Sequence, residues 1–181
     1  FDIATKQGNL ERFSARGGIS PITARFMVEG PIVKNKLSYL ASFRTTYSDW
    51  VLRLMNNPDL KNSRAAFGDA VINLAYIVNE KNRINVFGYY SRDRAELTNQ
   101  TNFGYENIGA SVSWFHAFNR NLDFNLSLNY TNYGFEEQNQ ALEISAYDQS
   151  YRLSHTELDW RFNFRPNDQH NLSAGITSIY Y

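Results

Sequence analysis

From residue 122 to 131 every even position is apolar or aromatic (Leu122, Phe124, Leu126, Leu128, Tyr130) and every odd one is polar (Asp123, Asn125, Ser127, Asn129, Thr131). A period of two belongs to an extended strand, whose side chains alternate between its faces. A helix, at about 3.6 residues per turn, would scatter the same residues around its axis. The chain is thereby committed to strands with one apolar and one polar face. Residues 108 to 114 repeat the pattern, with Ile108, Ala110, Val112 and Trp114 set against Asn107, Gly109, Ser111 and Ser113. So do residues 157 to 165, where Leu158, Trp160, Phe162 and Phe164 alternate with Glu157, Asp159, Arg161, Asn163 and Arg165.

Looser alternation fills most of the remaining chain. It runs through Phe13, Ala15 and Ile19, then Phe26, Val28 and Ile32, then Leu37, Tyr39, Ala41 and Phe43. It continues through Ile72, Leu74, Tyr76 and Val78, then Ile84, Val86 and Tyr90, and ends with Leu172, Ala174, Ile176 and Tyr180. About nine strands are expected, and no segment shows a helical period of comparable strength. The four prolines, Pro21, Pro31, Pro58 and Pro166, are expected between strands, where a missing N–H costs no ladder bond. Short connections are expected at 33–35, 79–82, 118–121 and 166–169, and long polar ones at 51–67, 93–103 and 136–149. They alternate along the chain, as in an up-and-down meander with short turns at one end and long loops at the other. The connection 20–23 breaks the rule: it falls on the long-loop side and is short.

Composition narrows what such a meander can be. Eighteen basic residues balance eighteen acidic ones, so no net field recruits nucleic acid, and the absence of cysteine excludes disulfides and thiolate metal sites. No apolar run is long enough for a transmembrane helix, a test that does not touch transmembrane barrels. Runs 83–93, 105–116 and 122–133 reach the roughly nine to eleven residues that a tilted membrane strand needs, against about five or six in soluble sheets. Rings make up 15% of the chain, and Tyr89, Tyr90, Trp114, Tyr130, Tyr133, Trp160, Tyr180 and Tyr181 lie towards strand ends, where interfacial girdles sit. Arg44, Asp123, Asp159 and Arg161 on the polar face suit a hydrated lumen and the outside of a soluble sheet equally. On the residues alone, a soluble carbohydrate-binding β-sandwich stays open beside the barrel.

The first fifty residues carry a more specific signal. Phe1-Asp2-Ile3-Ala4-Thr5-Lys6-Gln7-Gly8-Asn9 is followed by Phe13-Ser14-Ala15-Arg16-Gly17-Gly18-Ile19. Then come Ala24-Arg25-Phe26-Met27-Val28-Glu29-Gly30-Pro31-Ile32-Val33-Lys34-Asn35-Lys36 and Ser42-Phe43-Arg44-Thr45-Thr46-Tyr47. This stretch, about a quarter of the chain, closely resembles the plug-to-barrel junction of TonB-dependent receptors of the Bacteroidetes type.

The resemblance implies that residues 1–8 end a plug domain and that 9–181 are the N-terminal strands of an outer-membrane barrel of about 22 strands. The implied fold is all-β: an antiparallel up-and-down transmembrane β-barrel, here partial. The implied function is import of a nutrient (siderophore, glycan or peptide) across the bacterial outer membrane by plug movement. Implied partners are outer-membrane lipid and the TonB complex, reached through a segment upstream of Phe1. A barrel subunit whose loops bind a surface-exposed protein partner is the other reading of the same resemblance.

No individual binding residue carries over. The polar-face candidates are Arg44, Asp123, Asn125, Asn129, Asp159, Arg161 and Asn163, best read as plug contacts or lumen solvation. Ring-bearing residues expected on loops, Trp50, Phe67, Phe103, Tyr105, Phe135 and Tyr147, are the better candidates for touching a ligand. No catalytic, metal or cofactor site is expected. His116, His155 and His170 lie apart without ligand spacing, and the adjacent Glu136 and Glu137 would point in opposite directions on an extended chain.

Overall fold

The computed structural model describes residues 5–54, 56, 57, 61, 63–97, 101–139, 146–167 and 169–181. They form one antiparallel sheet of nine strands in chain order: β1 (Ser14–Ile19), β2 (Thr23–Val33), β3 (Leu37–Thr46), β4 (Arg64–Asn79), β5 (Asn82–Leu97), β6 (Thr101–Ala117), β7 (Leu122–Asn139), β8 (Tyr147–Asn167) and β9 (His170–Tyr180). Each strand pairs with the next, so the meander is up-and-down as the alternation predicts. Among the described residues β1 and β9 are edges, and the sheet does not close into a barrel. Among the described residues no second sheet packs on it.

The short turns fall where the sequence places them, and three are built alike. The side-chain oxygen of Asn119 accepts from the N–H groups of Asn121 and Leu122 at 2.8 and 2.9 Å. Asn167 caps Gln169 and His170 in the same way, and Asn79 caps Lys81. The 33–36 turn instead uses Asn35 at φ 57°, a left-handed conformation that asparagine tolerates. Asn119→Ala is expected to cost about 1 kcal/mol through the lost cap, read as a shifted denaturation midpoint with unchanged slope.

The long connections are shorter than expected. β5 runs on to Leu97 and β6 starts at Thr101; β7 runs to Asn139 and β8 starts at Tyr147. The ladder continues through pairs such as Glu96↔Asn102 and Gln138↔Asp148. Ladder bonds are main-chain, so they hold with polar side chains on both faces, where the two-residue period fades and reads as loop. Within 51–67 a short helix, α1 (Asp49–Arg53), reaches into the expected loop and β4 starts at Arg64. Pro31 and Pro166 lie inside β2 and β8 rather than between strands; each sits at a register shift, where a bulge leaves an N–H unpaired anyway. Pro58 and residues 1–4 lie outside the described residues.

The apolar face is the more exposed of the two. Ile72, Val112 and Leu128 are 51%, 46% and 48% exposed, whereas Ser38 and Asn73 on the opposite face are fully buried and Asp123 is 5% exposed. Along β6, Ile108, Ala110, Val112 and Trp114 are exposed while Asn107, Gly109, Ser111 and Ser113 are half-buried. Side chains shelter one another on the concave side of a curled sheet, so the polar face is the inner one. Between Leu122 and Tyr130 the outer apolar band spans roughly 27 Å of strand at about 3.4 Å per residue. Its short-turn margin is a ring cluster: Trp114 meets Phe124 edge-on at 5.5 Å, and Phe124 meets Trp160 at 6.1 Å and Phe162 at 5.2 Å. Tyr90, Tyr130 and Tyr180 line the other margin.

Residues 5–13 are irregular and lie against the inner face. Lys6 Nζ pairs with the buried Glu29 carboxylate at 2.5 Å, the Leu10 carbonyl accepts from Asn35 N–H at 3.0 Å, and Gly8 rests on the backbone of Tyr39. Beneath them Ser38, Leu40 and Asn73 are buried.

Candidate functional site

The inner face changes character towards the end away from the short turns. Cross-strand register places Phe67, Asp93, Tyr105, Phe135 and Tyr151 in one row over β4 to β8. Phe103 and Glu137 stand in the next row, Asn139 and Tyr147 two rows further, and Tyr133 and Leu153 one row below. The rings touch: Tyr105 to Phe135 is 5.1 Å, Phe135 to Tyr151 is 5.2 Å and Tyr133 to Tyr151 is 5.8 Å between centroids, all tilted. At the β4 end Arg44 lies over Phe67 at 5.2 Å, held by Asp69 at 2.7 Å. The result is an aromatic shelf on an otherwise hydrophilic wall.

Two of its hydroxyl groups act as donors. Tyr147 donates to the Glu137 carboxylate, a bond that pushes its phenol pKa up, with burial adding to the effect. Tyr133 is also pushed up, chiefly by its hydrogen bond with Tyr151. Both phenols therefore stay neutral at physiological pH. Rings of this kind stack on flat or apolar ligand surfaces while their hydroxyls bond a polar rim.

Of the six ring-bearing candidates, Phe67, Phe103, Tyr105, Phe135 and Tyr147 share this face, on strands rather than on loops. Trp50 does not join them: it sits on α1 and donates to the Pro21 carbonyl at 2.9 Å. Tyr133, Tyr151 and Leu153 were not among the ligand candidates. Carrying the odd parity of β7 past Thr131 would have found Tyr133, and the same extension of β8 past His155 would have found the other two.

The seven polar candidates all lie on the inner face, and most are held by their neighbours. Asp123 accepts from Asn163 at 2.8 Å and pairs with Arg165; Asp159 accepts from Thr177 at 2.8 Å and pairs with Arg161 at 3.3 Å; Asn129 accepts from Ser111 at 2.8 Å. Apart from Arg44, which stacks on Phe67 of the shelf, they belong to the wall. Asn125 lines a cavity of about 470 Å³ between the inner wall and Gln7 and Leu10. Nearby, both amide atoms of buried Asn73 lack a hydrogen-bond partner among the described residues.

The histidines and the adjacent acids do not converge on one another. His116 packs against Trp114 and Phe118 and bonds Asn82, His155 stands 3.5 Å from Glu157, and His170 caps its own turn. Glu136 and Glu137 point to opposite faces. Among the described residues no group of three His, Asp or Glu side chains could hold a metal. Comparison with protein-family models, curated proteins and solved structures gives no match.

Proposed function

We propose that this chain is the first part of a plugged outer-membrane β-barrel that imports a nutrient, the function its junction sequence resembles. The exposure of the apolar face carries the reading. A sheet presenting Ile72, Val112, Leu128, Trp114 and Trp160 outwards needs an apolar medium there, and a bilayer supplies it. Its polar inner face suits a hydrated lumen, and residues 5–13 lie on that face as the end of a plug would. The free edges of β1 and β9 are the places where further strands complete the cylinder. With the short turns periplasmic, the aromatic shelf faces the external mouth, where a nutrient arrives first. Energy comes from the inner-membrane TonB complex acting on a segment upstream of residue 1.

The test is growth of a strain lacking the gene on media limiting in one nutrient at a time: iron chelates, oligosaccharides and peptides. A defect on one of them should be restored by the wild-type gene. A Tyr105→Ala/Phe135→Ala/Tyr151→Ala variant present at equal level in the outer membrane should not restore it. An ionophore that collapses the inner-membrane proton gradient should reproduce the defect. Growth indifferent to the gene on every nutrient would refute import.

A further inference from the structure

At the β4 end of the shelf the protein builds a guanidinium site from its own residues. Arg44 lies over the Phe67 ring at 5.2 Å and bonds Asp69 at 2.7 Å, so a planar cation sits between an aromatic face and a carboxylate. One strand along, Asp93 stands in register between Phe67 on β4 and Tyr105 on β6. It is exposed, and no hydrogen bond or ion pair with a described residue engages it. From the Tyr133 row outwards, the described inner face of β5 to β8 carries the carboxylates of Asp93 and Glu137 and no basic side chain. Glu137 already accepts from the Tyr147 hydroxyl. Towards β1, Arg44 is committed to Asp69, and Arg25 lies three strands from Asp93. The arginines of β5 and β8 beside the shelf, Arg92, Arg94 and Arg152, stand on the outer face among Glu96, Glu106, Glu136 and Asp148. The row from Phe67 to Tyr151 crosses β4 to β8, roughly 19 Å at about 4.8 Å between strands.

We propose that Asp93 selects a basic peptide as the nutrient, receiving an arginine side chain against the Tyr105 ring while the flanking residues lie along Phe135 and Tyr151. A guanidinium stacks on an aromatic face and bonds a carboxylate through its fork, the arrangement that Arg44 already shows with Phe67 and Asp69. An extended peptide rises about 3.3 Å per residue, so roughly five or six residues match the row. A neutral oligosaccharide would use the rings and leave the carboxylate unpaired, and an anionic iron chelate would be repelled by it. Free arginine would use one end of the row only. The proposal rests on the reading that the shelf receives an imported nutrient.

Binding is separated from import by equilibrium dialysis of the purified full-length protein in detergent, which needs no energy from the TonB complex. The probes are a blocked pentapeptide with a central arginine between phenylalanines and its citrulline counterpart, which keeps the shape and loses the charge. The arginine peptide is expected to bind roughly tenfold more tightly, with the preference weakening as salt rises. Asp93→Asn should abolish the preference, and Glu106→Gln, a carboxylate change on the outer face, should keep it. Equal binding of the two peptides by the wild type, or a preference that survives Asp93→Asn, would overturn the proposal. So would full displacement of the peptide by equimolar arginine amide, which would show that the rest of the row is not used. A preference in the purified protein with growth on arginine peptides indifferent to the gene would overturn import and leave the binding site standing. A growth defect confined to iron chelates or oligosaccharides, with no preference in dialysis, would do the reverse.

Discussion

Leu128→Arg should destabilise the protein by about 2–4 kcal/mol in a bilayer and lower the yield of assembled protein in the outer membrane. Leu128 sits on the outer face in register with Val112 and Leu158, at mid-height of the band, and it is 48% exposed. In water, a charge at so exposed a strand position would change stability by no more than about 0.5 kcal/mol. The cost therefore measures the medium outside the sheet. Thr131→Arg, three residues away on the inner face and exposed, is the matched control and should stay within about 0.5 kcal/mol. Urea unfolding from lipid vesicles reads both. Equal, small effects at the two positions would mean that the apolar face is hydrated, and the barrel reading would fall.

Gly8→Val should lift residues 5–13 off the inner face. A Cβ at Gly8 would lie 2.1 Å from the carbonyl oxygen of Tyr39, a backbone atom in a paired strand that cannot give way. Displacing the segment breaks the Lys6–Glu29 pair and the Leu10–Asn35 hydrogen bond. Glu29, 3% exposed, then has a charge that must be rehydrated. The loss is expected at about 1–3 kcal/mol. Trypsin should cut after Lys6 and Arg12 at least roughly tenfold faster, since proteolysis follows the population of the undocked state. Unchanged cleavage would show that the segment is not held by this contact.

The strands themselves were legible because alternation over ten residues has one structural meaning. Leu122 to Tyr130 and Ile108 to Trp114 each separate into an apolar and a polar face within one strand, and the asparagines and lysines between runs mark the short turns. The loop-end halves of β5 to β8 were not legible. There Arg92, Glu106, Glu136 and Arg152 replace the apolar side chains on the outer face while Tyr105, Phe135 and Tyr151 bring rings to the inner one. The contrast between faces that marks a strand is inverted or lost, although the main-chain ladder is intact. For the same reason the rings of the shelf read as loop residues. Their meeting depends on register, which sets Tyr105 opposite Phe135 and Phe135 opposite Tyr151, and a single strand carries no record of its partner's offset.

Amino-acid order alone determined that this chain makes long two-faced strands joined in a meander, since the side-chain period acts within each strand and needs no partner. Which face is sheltered, where the rings converge and what residues 5–13 lie against were decided only by tertiary structure. Sheet curvature and cross-strand register are properties of several strands together, and the same alternation would serve a sheet curled the other way.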